Sequence, residues 1–129
     1  MKLGYVIVYV PDVAATVAFY ECAFGLTRRF VHESGQYAEM ETGTTALAFA
    51  AEDLVSSTCP GFRRNRPDAD AAGAEVGLVT DDVAASFTKA TQAGAVAVLT
   101  PSKKPWGQIV SYVRDCNGFL VEICSVVGG

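Results

Sequence analysis

Two glutamates interrupt apolar stretches, and they are the residues best placed to do chemistry. Glu122 stands within a run of aliphatic residues, and Glu75 opens another. In an extended chain alternate residues share a face, so Glu122 would face away from Val121 and Ile123. A carboxylate in that position is costly unless it is hydrogen-bonded, paired or wet. Two such carboxylates facing one space could grip a cation, or one could act as a base. For Glu75 a solvated strand edge is the alternative.

Aromatic side chains could supply the walls of a ligand site. Trp106 is the only tryptophan and lies in a loop just before a strand, with a glycine after it. Its ring offers a flat surface for stacking and an N–H donor. Four tyrosines could add to such a surface, since ligand pockets are mostly apolar and aromatic with a few polar groups. They are Tyr5, Tyr9, Tyr37 and Tyr112. We expect these residues to line a cup, the alternative for Trp106 being a plug at the edge of the core.

The remaining reactive side chains give weaker signals. His32 is the only histidine, and its strand neighbours offer no partner for a general base, so a polar strand residue is the simplest interpretation. Without a CxxC pair or zinc-like spacing, the cysteines are expected to be free thiols in a reducing cytosol. They are Cys22, Cys59, Cys116 and Cys124.

Composition limits the partners of the chain. Half of its 129 residues are hydrophobic and 19% are charged, which allows a packed core. The net charge of −4 argues against a nucleic acid or an anionic membrane as partner and favours a neutral or cationic ligand. No apolar run is long enough to span a bilayer, and the first residues lack a signal-peptide pattern. We therefore expect a cytoplasmic location.

The chain repeats one order of elements. Residues 3–10 are typical of a strand, after which Asp12 is placed as the N-cap of a helix that Gly25 ends. The sequence Asp-Val-Ala-Ala-Thr at residues 12–16 recurs as Asp-Val-Ala-Ala-Ser at 82–86, before a second helix. Such repeats decide architecture. The further strands are expected at 27–33, 36–42 and 45–51 in the first copy, and at 75–80, 96–100, 108–114 and 119–127 in the second.

This duplication predicts an α+β fold of two βαβββ modules, residues 1–51 and 73–129, within one compact domain. Residues 52–72 lack periodicity and contain two prolines, so they are expected to form a linker loop. Three arginines cluster there, either as part of a solvated loop or as a lid that grips a ligand. They are Arg63, Arg64 and Arg66.

The motifs VPDVAATVAFYECAFGL and YVRDCNGFLVEI, in this order of elements, resemble the vicinal oxygen chelate superfamily. That group includes glyoxalase I, extradiol dioxygenases, fosfomycin-resistance enzymes and bleomycin-resistance binding proteins. The resemblance implies a cupped mixed sheet and a homodimer. The end of the chain resembles the pattern D-P-x-G-x-x-x-E, with Cys116 where proline is common.

The resemblance also implies where metal ligands would lie. The four positions fall on Tyr5, on Ala48 or Phe49, on Glu75 and on Glu122. Only Glu122 is a usual ligand at its position, and no histidine occupies the places where one is usual. We therefore expect no transition metal and no cofactor, although two carboxylates could hold magnesium loosely.

Two kinds of function follow. The first is a metal-independent protein that sequesters a planar or cationic small molecule, with Tyr5, Phe49, Glu75, Trp106, Tyr112 and Glu122 at the ligand site. The second is a glyoxalase- or dioxygenase-like enzyme, a lyase or isomerase, in which Glu122 serves as ligand or base. Whether any reaction is catalysed stays open at this level, as does the identity of the ligand.

Overall fold

The structure, a computed structural model, describes residues 1–128 and divides the chain into two compact units. The first is Met1–Asn65 and the second begins at Arg66, so the division falls inside the segment expected to be a linker. Each unit carries a four-stranded mixed sheet and a helix in the order βαβββ. This confirms the predicted α+β fold of two βαβββ modules. No helix in the described part of the chain is both long and apolar enough to cross a membrane.

The first unit forms a sheet in the order β1-β4-β3-β2, in which β1 runs parallel to β4 and the other pairs are antiparallel. Its helix begins and ends at the predicted residues. The Asp12 carboxylate accepts the Ala15 N–H at 3.0 Å, and Gly25 at φ 68° ends the helix. The elements are β1 (Tyr5–Val10), α1 (Val13–Phe24), β2 (Arg28–Val31), β3 (Tyr37–Met40), β4 (Ala46–Ala51) and α2 (Glu52–Ser56).

Helix α1 covers one face of the first sheet. Tyr20 of α1 and Phe49 of β4 are both fully buried, with ring centroids 4.8 Å apart. Val8 and Ala38 pair with Phe49 from the neighbouring strands and therefore share this face. Burial of each such aromatic or branched side chain stabilises the unit by about 1.5–3 kcal/mol. The opposite face of the first sheet is not covered by α1 and is therefore available for a ligand site.

The second unit repeats the arrangement, with the sheet order β5-β8-β7-β6 and β5 parallel to β8. The Asp82 carboxylate caps α3 by accepting the Ala85 N–H at 3.0 Å. Val113 and Val121 are fully buried on the helix side of the sheet. The elements are β5 (Glu75–Val79), α3 (Val83–Gln92), β6 (Val96–Lys103), β7 (Ile109–Arg114) and β8 (Leu120–Cys124).

The linker expected at 52–72 is not free of structure. Its first five residues form α2, a single short helix whose N-cap, Ala51, makes no side-chain cap hydrogen bond. Acidic residues in its first turn, Glu52 and Asp53, are a weak start signal, but the helix has no capping side chain and no apolar periodicity. Further along, the Arg114 guanidinium donates to the carbonyl of Ala69 at 2.6 Å and to that of Arg66 at 3.3 Å. The later part of the segment is thereby fastened to the second unit.

Candidate functional site

One face of the second sheet carries both glutamates. Glu122 pairs with Gly77 on β5 and with Tyr112 on β7, and laterally paired residues share a face. Glu75 lies two residues before Gly77, so it shares this face as well. Val121, beside Glu122 in β8, points the other way and is fully buried. We call the surface formed by Glu75, Gly77, Tyr112 and Glu122 the carboxylate face.

The two carboxyl groups of the carboxylate face influence each other. Partial burial raises the pKa of Glu75, and the neighbouring Glu122 carboxylate raises it further by hydrogen bonding and by charge. The Tyr112 hydroxyl donates to Glu122 Oε2 at 3.4 Å. Burial and the charges of both glutamates also raise the pKa of Tyr112, so its hydroxyl remains a donor at neutral pH. The negative charge of Glu122 therefore makes ionisation of Glu75 less favourable than it is for an isolated glutamate.

No cation of the protein balances this pair within the described residues. The ion pairs there engage other acidic side chains. The thiol of Cys124 lies next along the same face, and burial followed by the charge of Glu122 raises its pKa. Within the described residues Glu122 therefore accepts from the Tyr112 hydroxyl, lies beside the Cys124 thiol and forms no ion pair.

Trp106 lies in the turn between β6 and β7 and is 57% exposed, so it does not plug the core. Its indole N–H donates to Gln108 Oε1 at 2.9 Å. The Gln108 amide in turn donates to the Ser125 carbonyl at 2.9 Å, just beyond the end of β8. Gln108 also interacts with the Cys124 thiol. These contacts hold the exposed ring at the end of the sheet at which β8 finishes.

Phe49 was expected at the ligand site, and the structure contradicts this. Its ring is fully buried against Tyr20 of α1, on the helix side of the first sheet. Ala48, the other residue considered at this position, pairs with Ile7 and Glu39 and faces the opposite side. Alternation makes a shift of one residue reverse the face. Position 48 offers no donor atom, so the first sheet lacks the ligand that the resemblance places there.

Tyr5 is 56% exposed at the start of β1, on the face that α1 leaves uncovered. Further along the same strand, Ile7 and Tyr9 line a cavity of about 540 Å³. The Tyr9 and Phe62 rings pack in a T-shaped arrangement with 5.1 Å between their centroids. The cavity is predominantly apolar. Its lining residues are Ile7, Tyr9, Tyr37, Ala50, Leu54, Val55, Ser57, Thr58 and Cys59.

Sequence reasoning missed Glu39, a carboxylate that is only 8% exposed on β3 of the first sheet. It accepts the Tyr37 hydroxyl at 2.9 Å and the Arg29 guanidinium at 3.2 Å. Burial and the Glu39 charge raise the pKa of Tyr37 to about 12. The alternation that singled out Glu122 also holds in Tyr37-Ala38-Glu39-Met40 and would have found Glu39. The residue fixes the Tyr37 ring in the wall of the cavity.

His32 lines neither surface, whereas Arg64 lies beside the cavity through Phe62, which packs against Tyr9. His32 is exposed, and its Nδ1 accepts the Ser34 N–H at 3.1 Å, which ties the turn between β2 and β3. Arg64 lies over the Phe62 ring at 5.0 Å and reaches the buried Glu52 at 3.8 Å. His32 therefore serves the turn after β2, which ends at Val31, and is not the strand residue that the sequence suggested.

The donor atoms present do not suit a transition metal. Of the four positions that the resemblance assigns, one is Ala48 and another is the phenol of Tyr5, a poor ligand when neutral. Glu75 and Glu122 supply carboxylates only, whereas zinc and its neighbours in the series favour imidazole and thiolate. Within residues 1–128 no group of three or more histidine, cysteine, aspartate or glutamate side chains could hold a metal ion.

The comparisons with known proteins agree with this fold. The sequence model of the Glyoxalase/Bleomycin resistance protein/Dioxygenase superfamily matches residues 2–123, and the chain belongs to that superfamily. No curated protein matches it significantly.

Solved structures resemble the chain closely in fold and distantly in sequence. A glyoxalase-related enzyme from Fulvimarina pelagi has a TM-score of 0.82 at 17% identity, covering 98% of this chain and 88% of that one. A glyoxalase/bleomycin resistance protein/dioxygenase family enzyme from Burkholderia phytofirmans PsJN has a TM-score of 0.78 at 20% identity, covering 98% of this chain and 100% of that one. TioX from Micromonospora sp. ML1 has a TM-score of 0.71 at 23% identity, covering 97% and 98%. At these identities the likeness concerns the fold alone, because one fold serves many activities.

Proposed function

We propose that this protein binds and sequesters a planar or cationic small molecule without using a metal. The observation that carries the proposal is the contact between Glu75 and Glu122 on the carboxylate face, with no arginine or lysine paired to either in the described part of the chain. Two neighbouring carboxylates without a positive partner favour a positive ligand. A bound cation would relieve the repulsion between Glu75 and Glu122.

The carboxylate face supports a ligand with nitrogen donors. Glu122 already accepts the Tyr112 hydroxyl, at the long distance of 3.4 Å, and keeps lone pairs for more donors. Hydrogen bonds between a cationic N–H and a carboxylate are short and about twice as strong as neutral ones. An amidinium or aminoheterocycle would therefore gain more from Glu75 and Glu122 than a neutral compound would.

Aromatic surface in each unit supports the planar part of the proposal. In the second unit the exposed ring of Trp106 is held by Gln108 and has a free face for stacking. Stacking of a cation on such a ring contributes about 0.5–2 kcal/mol. In the first unit the cavity beside Tyr9 and Tyr37 is apolar and has room for a ring system.

A second candidate, a lyase or isomerase that uses a glutamate as base, has one observation in its favour. The raised pKa of Glu75 beside Glu122 is the kind of perturbation that enzymes use to move protons near neutral pH. In that case Glu122 would accept a substrate proton, and Glu75 with Tyr112 would stabilise the charge left behind. Turnover of a bound compound, followed by mass spectrometry, separates this candidate from simple sequestration.

The proposal is tested by titrating the protein with planar organic cations, such as benzamidine and proflavine, while recording Trp106 emission. We expect saturable binding that Glu122→Gln weakens about tenfold or more, since the amide keeps the shape and loses the charge. Glu33→Gln, which removes an exposed glutamate of the first unit, is the matched control and should leave binding unchanged. Equal binding by the Glu122 and Glu33 variants would exclude the carboxylate face as the site.

A further inference from the structure

Gly77 interrupts β5 at the point where that strand meets Glu122. The strand runs from Glu75 to Val79, and Gly77 is its central residue, paired laterally with Glu122. Glycine is unfavourable within a strand, because it loses more chain entropy than other residues and packs no side chain. Its presence in the middle of a five-residue strand therefore calls for a reason.

The backbone does not supply that reason. Gly77 is not among the glycines with positive φ, so any residue could adopt its conformation. Nor does close packing supply it, because a Cβ built on Gly77 meets no other atom within 4 Å. Gly118 shows the contrast: it has φ 86°, and its added Cβ would overlap the carbonyl of Arg66. The fold needs a glycine at 118 and does not need one at 77.

The space above Gly77 is not filled by Glu122 either. A side chain of Glu122 lying over the glycine would bring atoms within 4 Å of the added Cβ, and none is there. The first module offers a comparison, because Ile7 pairs with Ala48 on its sheet as Gly77 pairs with Glu122 on the second. The first sheet thus has a large residue where the second has an opening next to a carboxylate.

We infer that Gly77 is the specificity-determining residue of the carboxylate face, and that its missing side chain forms a notch through which a planar cation reaches Glu122. Glycine in a strand interior commonly marks a place where a ligand approaches closely. The inference rests on the proposed function and adds which residue sets the size of ligand accepted. Gly77→Ala should leave most of the notch open, whereas Gly77→Ile should fill it.

Carboxyl labelling tests the notch without any ligand. Glu122 is treated with a water-soluble carbodiimide and glycine ethyl ester, and the modified residue is located by tandem mass spectrometry. Gly77→Ile should lower labelling of Glu122 severalfold, and Gly77→Ala should leave it close to that of the parent chain. Labelling of Glu33 is the internal reference. The melting temperature of both variants should equal or exceed that of the parent, because a residue with higher strand propensity replaces glycine.

Protection by benzamidine then links the notch to binding. In the parent chain, benzamidine should protect Glu122 from labelling. In Gly77→Ile the apparent affinity for benzamidine, measured from this protection, should be at least about tenfold lower. Two results would overturn the inference about Gly77 without touching the proposed function. One is labelling of Glu122 in Gly77→Ile equal to that in the parent chain. The other is unfolding of both Gly77→Ile and Gly77→Val. Absence of benzamidine protection in the parent chain would overturn both the notch as a ligand entrance and the cation proposal. Glu122 protection that Gly77→Ile retains, together with benzamidine binding that Glu122→Gln weakens in the Trp106 titration, would leave the proposed function standing and end the role of Gly77.

Discussion

Replacing Glu75 by glutamine should stabilise the ligand-free protein at neutral pH. Glu75 and Glu122 lie on one face of paired strands, in contact and without a paired arginine or lysine in the described part of the chain. Side chains placed diagonally across strands lie about 5–8 Å apart or closer. At about 5 Å two like charges in a water-like environment repel by roughly 0.8 kcal/mol. Because Glu75 is exposed and its charge is screened, we expect a smaller gain of about 0.2–0.8 kcal/mol, equivalent to about 1–4 °C in melting temperature.

The effect should depend on pH in a direction that the structure fixes. The pKa of Glu75 is raised in the folded state, so the fold holds this proton more tightly than the unfolded chain does. The stability that protonation of Glu75 contributes is complete at pH values below the pKa of Glu75 in the unfolded chain. It is lost as the pH rises through the higher pKa of Glu75 in the folded protein. Glu75→Gln should therefore exceed the parent chain in stability at about pH 7 and lose that advantage at about pH 4.

Thermal unfolding followed by circular dichroism at low ionic strength measures this difference. Glu33→Gln is the control for removing an exposed carboxylate and should shift the melting temperature by less than about 1 °C at either pH, as surface substitutions generally do. Added salt should shrink the gain from Glu75→Gln, because salt screens exposed charges. A Glu75→Gln chain that melts below the parent at neutral pH would refute the account of two unbalanced carboxylates.

Four further outcomes are expected. Gly118→Ala should lower the free energy of unfolding by about 2–4 kcal/mol, because φ 86° is strained for alanine and the new Cβ overlaps a linker carbonyl. Its control, Gly35→Ala at φ 72°, has open space around the new Cβ and should cost about 1 kcal/mol. Urea unfolding measures both. Arg114→Met should cost about 1.5–3 kcal/mol and raise proteolysis of the linker, since it removes charged hydrogen bonds to linker carbonyls. Ultraviolet titration should find that Tyr37 ionises near pH 12 and that Glu39→Gln lowers this value, because the neighbouring charge is removed. Sedimentation at micromolar concentration should find a homodimer, as short curved sheets with open edges favour pairing, and a clean monomer would contradict this.

Local signals made the architecture predictable. Asp12 and Gly25 mark both ends of α1 through side-chain capping and left-handed backbone, which depend only on neighbouring residues. The repeated cap at Asp82 then supplied the second module. Strand ends were less predictable, and β6 continues to Lys103, beyond the expected end at residue 100. Pairing with β7, rather than propensity, holds those last residues.

The site was only partly predictable, for a reason of register. Alternation places Glu122 on the face opposite Val121 whatever the pairing, so its orientation could be inferred from β8 alone. The choice between Ala48 and Phe49 needed the pairing with β3 and the position of Tyr20, which no local pattern contains. Glu39 was overlooked because its partner Arg29 lies on another strand, although the alternation around it was visible.

The central claim, binding without a metal, is tested most directly by calorimetric titration of a planar cation such as proflavine before and after exhaustive chelation. The account predicts the same affinity in both samples, no gain on adding zinc, nickel or iron, and weakening by about tenfold or more in Glu122→Gln. Elemental analysis of the same samples should find less than one such metal per chain. Binding that disappears on chelation and returns with one equivalent of metal would contradict the claim and favour a metal-dependent enzyme of this superfamily.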